Sequence, residues 1–299
     1  MRIRIWLQAT RPQFFVVIML PVFLGSAVAW YDNKMFSLYY FALALFAGIL
    51  CAAAANVLND YFDHLNHSDI FNTDPLTPFA GGSRMIQNGI LSAKQMRNYG
   101  IILLILAIAL GMFLVWARGL PLLWIGFIGI LSAYFYSAPP SLHYFGLGEI
   151  TIALNYGILA VAGAYFVQTQ TYSITAFFAS LPMAGLAMAI LYMNQFPDFE
   201  ADRAAGKKNW VVRLGRERAR RYFNYMILGS FSVILLGIGL QQLPILTGLA
   251  GFALPLGFKA MHILQKSYQQ KHELIPAIQA TIVLHSVVSW WLIFAFLLS

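Results

Sequence analysis

Residues 38–58, LYYFALALFAGILCAAAANVL, carry no charged side chain, and the polar stretch 59–69, NDYFDHLNHSD, follows them directly. The apolar run is long enough to cross a bilayer, since about 20 helical residues span roughly 30 Å of hydrocarbon. The polar stretch would then begin at one membrane surface. We therefore expect functional residues at this junction between an apolar span and an acidic segment.

Apolar runs of the same kind recur throughout the 299 residues. Hydrophobic residues make up 60% of the chain and charged residues 10%, and the mean hydropathy of +0.69 is typical of membrane proteins. Because lipid offers the backbone no hydrogen-bond partners and no segment alternates like a barrel strand, every run is predicted to be helical. The nine predicted spans are 13–31, 38–58, 98–117, 119–136, 148–167, 173–193, 222–240, 244–263 and 276–298. The predicted fold is therefore an all-α, polytopic membrane protein forming a single domain over residues 1–299.

The first apolar segment has a second interpretation. Arg2 and Arg4 precede a stretch that ends in Ala27-Val28-Ala29, as in a cleaved signal peptide. The apolar run is longer than a usual signal core, and Trp30 and Tyr31 resemble interfacial anchors. These features favour a retained span.

The positive charge indicates topology rather than nucleic-acid binding. With the N-terminus inside, 17 of the 19 basic residues lie on the cytoplasmic side, and only Lys34 and Arg118 lie outside. The positive-inside rule therefore predicts a cytoplasmic N-terminus, an odd number of spans and an external C-terminus in a cell inner (plasma) membrane. The basic side is also where an anionic ligand or lipid headgroup is expected.

The acidic residues gather on the same predicted side. Seven of the 11 acids follow the second or the sixth span, and they are Asp60, Asp63, Asp69, Asp74, Asp198, Glu200 and Asp202. Clustered carboxylates at a membrane surface repel one another, and Mg²⁺, which prefers oxygen ligands and binds phosphates, relieves that repulsion. Two acidic clusters facing one polar cavity open to the cytoplasm would each hold a metal ion, with a diphosphate between them. The spacing does not decide whether Asp60, Asp74 and Glu200 take part.

Several motifs together resemble the UbiA superfamily of intramembrane aromatic prenyltransferases over essentially the whole chain. The first acidic motif of that family corresponds to Asn59, Asp63 and Asp69, and the second to Asp198 and Asp202. Further similar strings are GGSRMI at 81–86, YSAPP at 136–140, GLGE at 146–149, AGKK at 205–208 and VRLG at 212–215. With His67 four residues after Asp63 and the last Asp at 69, the first motif looks most like the branch that prenylates 1,4-dihydroxy-2-naphthoate in menaquinone biosynthesis.

The resemblance implies roles for particular residues. Metal ligands would be Asp63, Asp69, Asp198 and Asp202. Substrate-binding residues would be Asn59, Arg84, Tyr136, Asn194, Arg203, Lys207 and Lys208, with segments near 59–97 and 194–221 capping the site on the cytoplasmic side. Catalytic residues would be Asp63, Asp198 and Glu149, the last as a general base. Aromatic faces of Tyr61, Phe62, Tyr136 and Phe196 are candidates for stabilising an allylic cation.

Two polar residues lie inside predicted spans, where exposing a polar side chain to lipid costs free energy. Asn155 lies in the fifth predicted span and His285 in the ninth. We expect His285 to be a hydrogen-bonded packing residue.

Three functions are compatible with these observations. The first is Mg²⁺-dependent transfer of an isoprenoid chain from a prenyl diphosphate to an aromatic quinone precursor, with 1,4-dihydroxy-2-naphthoate as the expected acceptor. The second uses the same metal chemistry on another aromatic acceptor, or cyclises the prenyl chain. The third is a transporter, which would place ionisable groups at several depths in two related halves. The one-sided acids favour the prenyltransferase.

Overall fold

The computed structural model describes residues 2–76 and 79–299, without the side chains of Arg2, Asp69 and Ile70. Within these residues the regular structure is helical and contains no strand. The α-helices are α1 (Arg2–Ala9), α2 (Phe15–Asn33), α3 (Leu38–Leu65), α4 (Ser68–Phe71), α5 (Ala93–Arg118), α6 (Pro121–Phe135), α7 (Gly148–Ala153), α8 (Ala160–Thr169), α9 (Ile174–Asn194), α10 (Phe199–Ala204), α11 (Trp210–Leu214), α12 (Arg216–Gly239), α13 (Leu254–Ser267) and α14 (Ile275–Leu298). One π-helical turn, Leu154–Leu159, joins α7 to α8, and short 3₁₀ segments lie at Pro12–Phe14, Leu142–Phe145, Ile245–Ala253 and Lys271–Leu274.

The prediction of an all-α polytopic membrane protein is confirmed. Within residues 2–76 and 79–299, eight continuous helical stretches are long and apolar enough to span a bilayer. The ninth predicted span, 119–136, is the 15-residue α6, which rises only about 22 Å. Gly119, with a φ of 121°, and Pro121 at the first turn limit α6 at one end. The count of nine full spans is therefore approximate.

The centre of the bundle is formed by α2 and α9. In the most apolar window of the stretch that contains α2, 61% of residues are buried, against 22% for α5 at the periphery. A Cβ on Gly25 would collide with the carbonyl oxygen of Val161, so the absent side chain allows α2 to approach α8 closely. Together with α12, α13 and α14, these central helices form the largest apolar core.

The hydrogen bonding of one buried residue, His285, differs from the prediction. His285 lies on α14 with no exposed surface, and neither ring nitrogen has a hydrogen-bond partner among the described residues. The expectation of a hydrogen-bonded packing histidine is therefore wrong. Its neighbours in the sequence of α14, among them Leu284 and Val288, are apolar core residues.

The helix ends determine where the acidic clusters lie. Helix α3 continues past the apolar run to Leu65, so Asn59 and Asp63 are on a rigid helix. Helix α9 stops at Asn194, and Pro197, which has no backbone N–H, lies in the turn before α10. Asn194 and Asp202 are therefore not on one continuous helix, although their spacing of eight residues would allow it.

Candidate active site

A cavity of about 650 Å³ enters the bundle among α2, α3, α5, α6, α8 and α9. Along α3 it extends from Ala44 to Asp63, a rise of about 28 Å. Most of its wall is apolar, and charged side chains lie at the end next to Asp63. Seven predicted site residues line it, namely Asn59, Asp63, Tyr136, Asn194, Asp198, Asp202 and Lys207.

The first acidic cluster is built on the last turns of α3. Asn59 donates a hydrogen bond from Nδ2 to Asp63 Oδ2 at 3.0 Å, as their four-residue helical spacing predicts. Asp63 Oδ1 faces two groups from other parts of the chain, with His143 Nε2 at 3.5 Å and Lys207 Nζ at 3.6 Å. The carboxylate is thus oriented by Asn59 on one oxygen and left open to cations on the other.

The second cluster is held by amide side chains from neighbouring loops. Asn72 donates to Asp198 Oδ1 at 3.0 Å, and Asn209 donates to Asp202 Oδ2 at 2.8 Å. Asp202 Oδ1 also lies 3.3 Å from Lys207 Nζ. Because Lys207 contacts both Asp63 and Asp202, the two carboxylate oxygens are at most about 7 Å apart.

Charge is unevenly compensated across the two clusters. Burial and the neighbouring Asp202 raise the pKa of Asp198 to about 7. Burial alone would lower the pKa of Lys207, but Asp202 and Asp63 outweigh it and the pKa is raised. One ammonium therefore lies within 4 Å of two carboxylates, whereas Lys207 and Lys271 only partly offset the rise in the pKa of Asp198.

These residues suit a divalent cation that binds substrate at the same time. Among the described residues no three His, Cys, Asp or Glu side chains are grouped closely enough to bind a metal by themselves. Mg²⁺ needs fewer, since it takes one or two carboxylates and completes its shell with water and phosphate. Asn194 Oδ1, buried and without a described partner, is a further oxygen at the cavity. Asp69, the remaining predicted ligand, lies on α4 with its side chain outside the described residues.

Asp60 does not line the cavity. Its carboxylate pairs with Arg11 and accepts hydrogen bonds from the backbone N–H and the hydroxyl of Ser83. It therefore fixes the 81–84 loop against α3. Arg84, predicted to bind substrate, is the next residue after Ser83 and has a φ of 61°. It is not among the residues that line the cavity.

Four other charged residues remain at the surface. Asp74 is 62% exposed beside His272, and Glu200 is 71% exposed beside Arg216. Arg203 and Lys208, two predicted substrate-binding residues, are also exposed. None of the four lines the cavity, so the structure does not bring Arg203 and Lys208 to the acidic clusters in the described conformation.

Tyr136 is the predicted aromatic residue that reaches the cavity. Its ring stacks on His143 with centroids 5.1 Å apart. His143 was not predicted, although it lies between the YSAPP and GLGE strings and contacts Asp63. The other three aromatic candidates, Tyr61, Phe62 and Phe196, are not among the described lining residues.

Glu149 holds two segments together behind the cavity. Its Oε1 accepts hydrogen bonds from Gln195 Nε2 at 2.9 Å and from the backbone N–H of Trp210 at 2.7 Å. The side chain has no exposed surface and is not part of the described lining. Glu149 therefore connects the end of α9 to α11, close to the loop that carries Lys207.

Comparison with known proteins identifies the family of the chain. A profile of the UbiA prenyltransferase family matches residues 18–275. The chain is 31% identical over 230 residues to a 1,4-dihydroxy-2-naphthoate octaprenyltransferase of Haemophilus influenzae, covering 74% of this chain and 72% of the relative. It is 29% identical over 242 residues to the Escherichia coli protein of the same description, covering 79% and 76%. A UbiA homolog from Archaeoglobus fulgidus, solved with DMAPP and Mg²⁺, superposes with a TM-score of 0.67 at 20% identity over 98% of both chains. The chain is thus a multi-pass membrane transferase that belongs to the UbiA prenyltransferase family.

Proposed function

We propose that this prenyltransferase moves a long isoprenoid chain from a prenyl diphosphate to 1,4-dihydroxy-2-naphthoate. The observation that carries the proposal is the meeting of Asp63 and Asp202 at Lys207, at the charged end of an elongated apolar cavity. A diphosphate fits the charged end and an isoprenoid fits the apolar remainder. The donor length and the acceptor ring are supported by relatives described as 1,4-dihydroxy-2-naphthoate octaprenyltransferases.

The charged end is assigned to the diphosphate. Asp63, Asp198 and Asp202 would hold Mg²⁺, in keeping with the homolog solved with DMAPP and Mg²⁺. When bound, Mg²⁺ neutralises the charge that develops on the leaving diphosphate. Lys207 contributes a mobile ammonium to the same phosphates. Asn59 and Asn194 orient the oxygen atoms around them, and Asp69 is retained as a ligand from the motif.

The chemistry needs no proton acceptor in its overall balance. The carbon–oxygen bond of the donor breaks, and its electron pair leaves with the diphosphate. A carbon–carbon bond then forms at the ring carbon that bears the carboxylate, and that group departs as carbon dioxide, leaving its bonding electrons on the ring. Glu149 is therefore better suited to position the loop before Trp210 than to act as a base, as its two hydrogen bonds indicate.

The allylic cation has to be protected from water until the ring reaches it. Tyr136 lines the cavity and stacks on His143, which lies next to Asp63, and we assign its ring to stabilising positive charge there. Residues from the 59–97 segment, including Asn72 and Phe79, form part of the cavity wall. We assign this segment and 194–221 as the cap that excludes solvent, on the cytoplasmic side of the inner membrane.

The test is transfer by purified protein in detergent. Radiolabelled prenyl diphosphates of several lengths are incubated with a panel of aromatic acids and Mg²⁺. We expect prenylated naphthoquinol and carbon dioxide from 1,4-dihydroxy-2-naphthoate, with activity lost in excess chelator and recovered with Mg²⁺ or Mn²⁺. Full turnover in chelator would refute the metal assignment, and product from a different acceptor alone would refute the acceptor.

A further inference from the structure

A polar pair interrupts the apolar wall of the cavity. Asn155, in the π-helical turn between α7 and α8, and Ser132 on α6 both line it. Ser132 is one helical turn, about 6 Å, from Tyr136, and Tyr136 stacks on His143 at the charged end of the cavity. The pair therefore lies about one turn farther into the bundle than the charged end. Polar side chains at such depth cost free energy unless hydrogen bonds compensate them.

The orientation of the Asn155 amide is fixed by its partners. Its Nδ2 donates one hydrogen to the carbonyl oxygen of Thr151 at 2.8 Å and the other to Ser132 Oγ at 2.8 Å. Since a backbone carbonyl can only accept, the amide atom that faces Thr151 has to be the nitrogen. Both amide hydrogens are therefore used within the protein, and the amide oxygen Oδ1 is the atom that remains.

The oxygen of this amide keeps unused acceptor capacity. Ser132 Oγ is 3.0 Å from Asn155 Oδ1, but the serine has a single hydroxyl hydrogen. Two backbone carbonyls compete for that hydrogen, those of Ile128 at 2.7 Å and Gly129 at 3.0 Å. Because a carbonyl oxygen accepts two hydrogen bonds, at least one lone pair of Oδ1 receives no hydrogen from Ser132.

The space beside this oxygen is open. Gly129 on α6 also lines the cavity, and a Cβ at this position would lie 3.7 Å from Asn155 Oδ1. Outside α6, that Cβ would meet no other described atom within 4 Å. The glycine therefore leaves room for a ligand group to reach the amide oxygen.

An accessible amide oxygen selects a hydrogen-bond donor. Diphosphate and carboxylate oxygens only accept, and an isoprenoid chain has no polar hydrogen. Of the groups on the proposed substrates, the ring hydroxyls are the donors. The 1-hydroxyl lies next to the ring carboxylate, which accepts its hydrogen, whereas the 4-hydroxyl across the ring has no partner within the molecule. The 4-hydroxyl is thus the group that needs an acceptor from the protein once it leaves water.

We propose that Asn155 Oδ1 accepts a hydrogen bond from the 4-hydroxyl of the acceptor ring, and that Ser132 and Gly129 orient and expose this oxygen. This inference rests on the proposed function, since it takes 1,4-dihydroxy-2-naphthoate as the acceptor. The ring then lies with its carboxyl-bearing carbon toward the diphosphate and its 4-hydroxyl toward the polar pair. Asn155 is a specificity-determining residue that binds the ring away from the reacting carbon.

The test compares two acceptors with the same prenyl diphosphate. Both 1,4-dihydroxy-2-naphthoate and 1-hydroxy-2-naphthoate have the 1-hydroxyl that activates the adjacent ring carbon, and they differ only in the 4-hydroxyl. We expect Asn155→Leu to lower kcat/KM for the dihydroxy acceptor by about tenfold, because its 4-hydroxyl is left without a partner. Neither kcat/KM for the monohydroxy acceptor nor KM for the donor should change appreciably. Comparing the acceptor ratio of variant and wild type cancels their difference in intrinsic reactivity.

A second variant blocks the same contact without removing a hydrogen bond of the protein. The methyl group of Gly129→Ala would occupy the space beside Asn155 Oδ1 in ordinary van der Waals contact. It should also lower kcat/KM for the dihydroxy acceptor selectively. Gly229→Ala on α12 is the matched control and should leave both acceptors unchanged, because Gly229 does not line the cavity and a Cβ there also has open space around it.

Each outcome decides between a ligand contact and a purely structural hydrogen bond. Equal fold-changes on the two acceptors in Asn155→Leu, or no change, would overturn the proposal while leaving the proposed function intact. Thermal unfolding in detergent shows whether Asn155→Leu is folded, and if it is not, the acceptor ratio of Gly129→Ala decides instead. If 1-hydroxy-2-naphthoate is not turned over, its inhibition constant against the dihydroxy acceptor replaces kcat/KM. Failure of wild type to prenylate the dihydroxy acceptor would refute the proposed function, and this inference with it.

Discussion

Replacing Lys207 with methionine removes the ammonium group that Asp63 and Asp202 share. Its ammonium lies 3.3 Å from Asp202 and 3.6 Å from Asp63, and all three side chains are about 13% exposed. At these distances each attraction is about 5 kcal/mol in an effective dielectric of about 20. Relief of the ammonium's desolvation offsets part of this, so removing the shared partner should destabilise the substrate-free protein by about 3 kcal/mol. Methionine keeps most of the apolar stem, which limits the change to charge.

The assay is thermal unfolding in detergent, in chelator and then with increasing Mg²⁺. Lys207→Met should unfold at a lower temperature than wild type in chelator, and Mg²⁺ should stabilise it more than it stabilises wild type, because the ion no longer competes with the ammonium. Lys208→Met is the control, since the neighbouring lysine is exposed and away from the cavity. Equal stability of Lys207→Met and Lys208→Met, or equal stabilisation by Mg²⁺, would refute this reasoning.

Two further predictions concern the aspartates and the topology. Asp63→Asn and Asp198→Asn should each lower turnover by about 10²–10³-fold, because each loses a group that stabilises the transition state. Glu200→Gln, which changes an exposed surface ion pair, should have a small effect on turnover. Near wild-type turnover in both well-folded aspartate variants would contradict the two-cluster mechanism. A reporter that is active only in the cytoplasm should be inactive when fused after Ser299, because 17 of 19 basic residues lie on the opposite predicted side; an active fusion would reverse the topology.

The spans and the first cluster could be predicted because their causes are local. Hydrophobic length determines whether a segment can cross a bilayer, and among the described residues this criterion located eight membrane-length stretches and the shorter α6. The four-residue spacing of Asn59 and Asp63 places both side chains on one helix face, and they hydrogen-bond there because α3 continues unbroken through both residues. The predicted span 119–136 is longer than α6, because hydropathy does not detect that Gly119 and Pro121 delay the start of the helix to residue 121.

The partners that complete the site could not be predicted, because they come from distant segments. Asn72 and Asp198 are 126 residues apart in the chain, and no periodicity relates them. His143 reaches Asp63 only because the Leu142–Phe145 turn packs next to the end of α3. Asp60 has the same residue type as Asp63 and lies three positions earlier, yet it faces Arg11 and Ser83. Composition alone cannot distinguish these two neighbours.

The two acidic clusters differ in how they are held, and this difference bears on how the site works. Asp63 is fixed by a long helix, so its position is determined by the bundle. Asp198 and Asp202 lie beyond the end of α9, where each depends on a hydrogen bond from a loop amide. Since local motions concentrate in short connecting segments, we expect the second cluster, on the short α10 and the turn before it, to adjust when a diphosphate binds or leaves. The hydrogen bonds of Glu149 to Gln195 and Trp210 limit that adjustment, because they fasten both ends of the segment that carries Asp198, Asp202 and Lys207.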